Sequence, residues 1–347
     1  MKKLLTVVLG LSIFAAGCGS SSETTEEISS ETADGGETSG ETIEMKLHHD
    51  LAPDSPQHIA AEKFGEIVAE KTNGQVEVSI FPANQLGDDS EVAQMIQTGS
   101  VEAGLIPTAK LSTVDSRLQL PDLPFIFPNR EAAYAVLDGE VGDALLEGLS
   151  DVNLKGIAFW ESGFKQFTHN ERIETPDDFV GSKIRTMESP IVIEQFRALG
   201  ANPVPISFTE TYNALQQGVV DGQENPLVSI VKMKFFEVQD YTILSNHGYL
   251  GYAFILSETW FDGLSEDIQT AILEAANETT SFERELTQEQ EEEFIQMIKD
   301  SGTEVYELTE EQKEAFQEQT RSVHEKFVDD IGSDLLEKTY EIVESLE

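Results

Sequence analysis

The sequence predicts an α/β fold built as two lobes of similar design. Three observations carry this. Apolar periodicity alternates between strand and helix over residues 45–106. The same rhythm returns over residues 183–220. A short echo links the two stretches: Gln97-Thr98-Gly99-Ser100-Val101-Glu102 against Gln216-Gln217-Gly218-Val219-Val220-Asp221.

The elements follow in order. Residues 45–49 are expected as the first strand. Residues 56–71 place Ala60, Phe64, Ile67 and Val68 on one helical face, and Asn73-Gly74 stops the helix. Val76, Val78 and Ile80 alternate as a strand does. Asp88-Asp89-Ser90 supplies a cap and helix-start carboxylates, although the two aspartates could also work as an acidic pair. Val92, Met95 and Ile96 then form an inner face, Gly99 ends the helix, and residues 101–106 read as a strand. In the second lobe, residues 183–187 read as a strand and 190–199 as a helix ended by Gly200. Residues 203–207 read as another strand. Thr209 is expected to cap a helix carrying Tyr212 and Leu215, and Val219-Val220 to begin the next strand. From about Ser265 onward the chain is helical and acidic, with Phe282, Phe294, Ile295 and Ile298 among the expected buried positions. Two such lobes face to face form a cleft, because open parallel sheets bind ligands outside the carboxyl ends of their strands.

Composition bounds the function. The 347 residues hold 22 Lys and Arg against 65 Asp and Glu, a formal net charge of −43. Such a surface repels nucleic acid. A hydrophobic content of 39 % and 8 % aromatics argue against general disorder. The lone cysteine excludes an intrachain disulfide and a thiolate metal cluster.

The N-terminus reads as an export signal. Met1-Lys2-Lys3 is basic, an apolar stretch runs to Phe14, and Ala15-Ala16-Gly17-Cys18 follows. Cys18 sits where a bacterial lipoprotein carries its lipid, with Ala15 in place of the commoner leucine. Ordinary secretion with cleavage nearby is the other reading. Residues 1–17 are thus expected as a signal peptide, and 18–43 as the lipidated cysteine and a flexible acidic linker. The mature chain would be anchored by lipid on the outer face of the cell membrane, at a charge of −45 (−43 − 2, for Lys2 and Lys3).

Enzyme chemistry finds no support. G-x-G-x-x-G, the P-loop, H-E-x-x-H and G-x-S-x-G are all absent, and no cofactor is implied. His48-His49-Asp50 do not converge on a metal ion, since neighbours on a strand point to opposite faces. The Glu pairs after Ser281 read as a solvated helix face. Arg185, inside Lys183-Ile184-Arg185-Thr186-Met187, is a rare cation in an apolar strand. Its planar fork suits a carboxylate ligand or, equally, a structural ion pair.

Three stretches carry a family resemblance. They are Gly181-Ser182-Lys183-Ile184-Arg185, then Ala198-Leu199-Gly200-Ala201-Asn202-Pro203. The third is Tyr212-Asn213-Ala214-Leu215-Gln216-Gln217-Gly218-Val219-Val220-Asp221-Gly222-Gln223-Glu224-Asn225-Pro226. Together they closely resemble the DctP-type solute-binding proteins of tripartite ATP-independent periplasmic (TRAP) transporters, over nearly all of the mature chain. The resemblance implies a two-lobed, periplasmic-binding-protein-like fold with a ligand cleft between the lobes and a long helix spanning both. It implies discontinuous lobes, with 44–162 and 251–290 in lobe I and 163–250 and 291–347 in lobe II. It also implies an organic acid clamped by Arg185, with Asn225 donating to the same carboxylate and Phe208 packing on the ligand. Many relatives carry a second arginine in a Gly-x-Arg segment, where Gly163-Phe164-Lys165 has lysine. That departure speaks against sialic-acid-like substrates.

Further stretches, among them Trp160-Glu161-Ser162-Gly163-Phe164-Lys165 and Asn246-His247-Gly248-Tyr249-Leu250-Gly251-Tyr252, look like the C4-dicarboxylate branch. Arg185 and Lys165 on opposite sides of a cleft would suit two carboxylates. Lys110 matches a lysine of that branch. His49 matches a histidine that lines the pocket, or is a satisfied core histidine. The implied function is capture of succinate, malate or fumarate and delivery to the small and large membrane permease subunits. A monocarboxylate or sugar acid such as lactate or a uronate, or a ligand sensor without transport, are the other readings.

Overall fold

The computed structural model describes residues 42–346. The expected signal peptide, Cys18 and nearly all of the acidic linker lie outside the described residues. The first half of the fold follows the apolar pattern. β1 (Ile43–His48) and β2 (Val76–Phe81) pair in parallel, with α1 (Pro56–Lys71) between them in the chain. Ser55 caps α1 by accepting from the His58 N–H, and proline stands in its first turn. α1 buries Ala60, Ala61, Phe64 and Val68. α2 (Asp89–Gln97) is capped by Asp88, and β3 (Ala103–Pro107) lies parallel to β1. Met95 departs from expectation: it is 37 % exposed. At about 100° per residue it falls off the side of the stripe defined by Val92, Ala93 and Ile96.

Then come α3 (Arg130–Leu137), α4 (Glu140–Gly148) and the 16-residue β4 (Leu154–His169). β5 (Lys183–Thr186), α5 (Pro190–Ala198) and β6 (Asn202–Pro205) follow. α6 (Thr211–Gln216), β7 (Gly222–Pro226) and α7 (Leu227–Lys232) complete that group. Two expectations are corrected here. Thr209 is no cap: it sits exposed in a tight turn, Phe208–Glu210, and the helix starts from Glu210. Bonds from Glu210 N–H and Thr211 Oγ1 to the Ser207 carbonyl tighten the chain there. The strand after α6 begins at Gly222, not Val219, because Val219 is spent on the exposed turn behind Gly218.

The 17-residue β8 (Tyr241–Ser257) leads through α8 (Glu258–Asp262) into α9 (Glu266–Asp300), a helix of 35 residues. β9 (Glu304–Glu307), α10 (Glu310–Lys326), α11 (Val328–Ile331) and α12 (Ser333–Glu344) close the chain. On α9, Phe294 and Ile298 are buried and Ile295 is partly so, but Phe282 is 38 % exposed. It lies one residue off the row Thr279, Glu283 and Thr287 that faces inward.

All strands share one nine-stranded sheet in the order β2-β1-β3-β8-β4-β7-β5-β6, with β9 beside β8. Two parallel groups, β2-β1-β3 and β7-β5-β6, are joined through the long antiparallel pair β4 and β8. That pair shifts register between Gly156 and Ala158, Glu161 and Gly163, and Lys165 and Phe167. Gly163 stands at one shift with φ 103°, a conformation that needs glycine. At about 1.5 Å per residue α9 is roughly 52 Å long, about the reach of β4 at 3.3 Å per residue. Its early part ion-pairs with Lys71 of α1 through Glu274 and Glu278. Its late part packs Phe294 and Ile298 into a smaller core with Phe208, Leu215, Leu227 and Ile230. No helix among the described residues is long and apolar enough to cross a membrane.

Candidate functional site

The carboxyl ends of the parallel strands meet around a small closed chamber. Asp50 follows β1, Pro107 and Lys110 end and follow β3, Arg185 comes from β5 and Met187 follows it, and Asn225 comes from β7. Leu250 and Tyr252 of β8 form the floor, and Phe208 and Ser229 complete the wall. With the open space at its mouth it spans about 270 Å³, and its cavity volume is about 10 Å³. A larger open groove of about 890 Å³ by that second measure lies between the 124–128 loop, α10 and α12. Its Lys313 and Arg321 already pair with carboxylates, and it shares no residue with the chamber. The chamber is the better candidate because of the charge it holds.

Arg185 is 1 % exposed. Its Nε donates to the Ile206 carbonyl at 2.9 Å, and its guanidinium stands 6.0 Å from the Phe208 ring centroid. Among the described lysines and arginines, only Lys155, Lys183, Arg185 and Lys299 lack a carboxylate within ion-pair distance. Arg185 alone of these is buried. Burial pushes its pKa down to about 10, and only the more distant Glu224, Asp50 and Asp88 pull it back. The structural ion pair weighed for Arg185 is therefore not made. Asn225 Nδ2 donates to Gln223 Oε1 at 2.6 Å, and Gln223 in turn donates to Thr168 Oγ1, which fixes the amide beside the chamber.

Lys110 lines the chamber and pairs with Asp88 at 2.8 Å and Asp89 at 2.9 Å. Burial opposes its charge, but the two aspartates win and raise it to about 12. Asp88 also caps α2, as expected.

Lys165 departs from the expected picture. It does not line the chamber; its Nζ lies 2.9 Å from Asp122 and 3.4 Å from Glu224, all three buried. Burial works against the Glu224 carboxylate, yet Lys165 and His247, whose Nε2 lies 3.5 Å away, bring it down to about 2. The lysine is an internal counter-ion, compensated before any ligand arrives. His49 is also turned away. Its Nδ1 accepts from Leu51 N–H, so Nε2 carries the proton and donates to His58 Nδ1 at 3.0 Å. Burial, with His58, pushes it down to about 3. His48 meets Asp89 at 3.1 Å, and Asp50 accepts from Tyr252 Oη at 2.9 Å, so the three neighbours diverge.

The chamber includes residues that sequence reasoning did not single out as ligand contacts. Asp50 is one, and burial, reinforced by Asp89, raises its pKa to about 8. Ser229, whose buried Oγ has no partner, and Tyr252 are others. Ser229 left a faint signal as the lone hydroxyl in Leu227-Val228-Ser229-Ile230-Val231.

Comparison with known proteins fits this geometry. The family model described as bacterial extracellular solute-binding protein, family 7 (DctP) matches residues 47–330. The C4-dicarboxylate-binding periplasmic protein DctP of Rhodobacter capsulatus is 39 % identical over 298 residues, covering 85 % of this chain and 90 % of that one. A TRAP periplasmic solute-binding protein from Sulfurospirillum deleyianum, solved with bound succinate, superposes with a TM-score of 0.82. Its identity is 38 %, over 86 % of this chain and 99 % of that one. The sugar-acid-binding protein DctPAm of Advenella mimigardefordensis, solved with galactonate, gives a TM-score of 0.85. Its identity is 34 %, over 88 % of this chain and 99 % of that one.

Proposed function

The chain belongs to the DctP family of bacterial extracellular solute-binding proteins, and from that premise we propose that it captures a C4-dicarboxylate in the chamber under Arg185. The acid is then delivered to TRAP membrane permease subunits. The family is one of transport proteins and not of enzymes. The observation that carries the proposal is the buried guanidinium of Arg185 without a carboxylate of its own. A buried cation costs free energy unless it is paired, so the site is built for an anion supplied from outside. Arg185 grips one carboxylate through its fork, Asn225 donates beside it, and Phe208 covers the apolar middle. Lys110, not Lys165, faces the second carboxylate, although Asp88 and Asp89 share its charge.

Ligand size supports the shorter acid. The cavity volume is only about 10 Å³, so the chamber must widen to admit any organic acid, and a four-carbon chain asks for less widening than a sugar acid. The sugar-acid reading keeps its own support in the structural likeness to the galactonate-binding protein. Calorimetric titration with succinate, malate, fumarate, galactonate and glucuronate decides between them. Binding of one of the first three in preference to the sugar acids is expected; heat from the sugar acids alone would overturn the dicarboxylate assignment.

The two lobes are proposed as 44–162 with 251–290, and 163–250 with 291–347. Those boundaries fall inside β4, β8 and α9, the elements that run the length of the sheet. Ligand closure then bends these three around the chamber, which domain-resolved small-angle scattering with and without succinate reads as compaction. Cys18 is proposed as the lipid tether to the outer membrane face, which mass spectrometry of the native protein reads as added mass on the N-terminal peptide.

A further inference from the structure

This inference rests on the reading of the chamber as an acid-binding site and deepens it. Among the residues lining the chamber, Asp50 is the one carboxyl group. It is 5 % exposed, and its Oδ1 accepts from Tyr252 Oη of β8. The charged groups around it are engaged elsewhere. On α2, Asp88 and Asp89 hold Lys110 of the segment after β3. On β5, Arg185 lies across the chamber and forms no ion pair with Asp50. On its own segment, His48 is taken by Asp89 and His49 by His58. Asp50 therefore has no cation of its own.

An organic anion drawn in by Arg185 comes to rest beside this carboxyl. Two ionised carboxylates cannot share a water-poor chamber cheaply, so one of them keeps a proton. Ser229, with a buried hydroxyl lacking a partner, shows that the same wall has hydrogen-bonding capacity left for a ligand.

We propose that the chamber binds its acid ligand with a proton on Asp50, so that Asp50 donates a hydrogen bond to the ligand carboxylate instead of repelling it. The proton comes from solvent and, above the raised pKa, returns to solvent when the ligand leaves; no bond other than O–H is made or broken. Asp50 thereby admits acids and couples their capture to pH. Burial and the neighbouring Asp89 already hold this carboxyl above the ordinary carboxylate range in the free protein. Below that raised pKa the proton is in place and affinity is flat. Above it each binding event takes up one proton, and affinity falls about tenfold per pH unit.

The test is calorimetric titration of the full chain with succinate and with glucuronate, from about pH 6.5 to about pH 9.5. Each titration is run in two buffers of different ionisation heat. The expected result is proton uptake that rises toward one per ligand at the alkaline end, with the matching loss of affinity. D50N, a neutral stand-in with an amide donor, should show an affinity that stays flat across this pH range. Comparison with D50N also separates Asp50 from Arg185: a pH dependence that persists in D50N belongs to the guanidinium and overturns the assignment to Asp50. An absence of buffer-dependent heat in the wild type, together with flat affinity, would overturn the proposal. So would D50N binding that is weaker by tenfold or more at every pH, which would mark Asp50 as an ionised acceptor for a ligand hydroxyl. If D50N does not fold, the midpoint of the wild-type proton uptake decides: at about 8 it belongs to Asp50, and at about 10 it belongs to Arg185 and overturns the proposal. Silence from succinate with proton uptake on glucuronate overturns the dicarboxylate reading and supports this one. Silence from both acids overturns both.

Discussion

Arg185 and Lys165 are buried alike, at 1 % and 2 % exposure, but they keep different company. Lys165 lies between Asp122 and Glu224, so its charge is settled inside the protein. Arg185 has only a backbone carbonyl. Their substitutions should therefore fail in different ways. Arg185→Ala should lose roughly 2–5 kcal/mol of dicarboxylate binding. Its urea midpoint should hold or rise, because an unpaired buried cation has been removed. Lys165→Met leaves two buried carboxylates without a counter-ion and should cost about 3–5 kcal/mol of stability. Calorimetry and urea titration of both variants check this; wild-type affinity in Arg185→Ala would sink the clamp, and wild-type stability in Lys165→Met would sink the internal ion pair. The same contrast shows what was legible at this scale. Arg185, Asn225 and Phe208 stand in or beside spelled-out motifs, and all three line the chamber. Lys165 is also in a motif, but no local pattern reveals that Asp122, 43 positions away, reaches it first. Asp50 and Tyr252 are 202 positions apart, and only the assembled sheet makes them partners. Just past the end of β1 the chain then turns so that Asp50 faces the chamber while its neighbour His49 faces His58.

At the scale of elements, period was a good guide where a strand or helix has one wet side. α1 is found at its expected bounds because an apolar stripe, a proline in its first turn and an Asn-Gly stop agree. β4 and β8 were not legible by period, because they run through the middle of the sheet and are buried on both faces for most of their length. Such strands show no alternation. What joins the two parallel groups into one sheet is thus not carried by the pattern. α9 fails in the opposite direction. Its glutamates look like a solvated face, and most are, but Glu283 is fully buried. It accepts from Gln57 of α1, from the backbone N–H of Glu161 in β4 and from Thr287 one turn on. Burial, reinforced by Glu161, raises its pKa to about 8, against the three hydrogen bonds it accepts. One acid among many on a helix is told apart only by what the neighbouring elements bring to it. Arg130, which pairs with both Glu161 and Glu291, and Arg284, held by Asp138, tie the same helix down on either side. These contacts all lie on the stretch of α9 that faces the crossing strands, where bending on ligand closure would be felt.

At the scale of the whole molecule, the imbalance of 65 acidic against 22 basic residues becomes a statement about salt. Nearly every described cation is already paired, so the excess carboxylates have only each other and the solvent. Their mutual repulsion is relieved when the chain expands, which lowers the stability of the folded state. It also lowers the rate at which an anionic ligand arrives, since the approaching dianion meets a field of its own sign. Screening shortens the reach of both effects, from about 30 Å at 0.01 M to about 3 Å at 1 M salt. The opposing effect, weakening of surface ion pairs, is small because exposed pairs contribute about 0–1 kcal/mol each. The net expectation is a melting temperature and a ligand on-rate that both rise from low to molar NaCl. A gain of about 1 kcal/mol would read as roughly 2–4 °C for a chain of this size. The off-rate should change less, because Arg185 and its surroundings are buried and poorly screened. Scanning calorimetry and stopped-flow mixing with succinate, each across a salt series, measure the two quantities separately. Flat curves in both would show that the acidic surface has no part in folding or capture. A melting temperature that falls while the on-rate rises would mean that the surface ion pairs outweigh the repulsion.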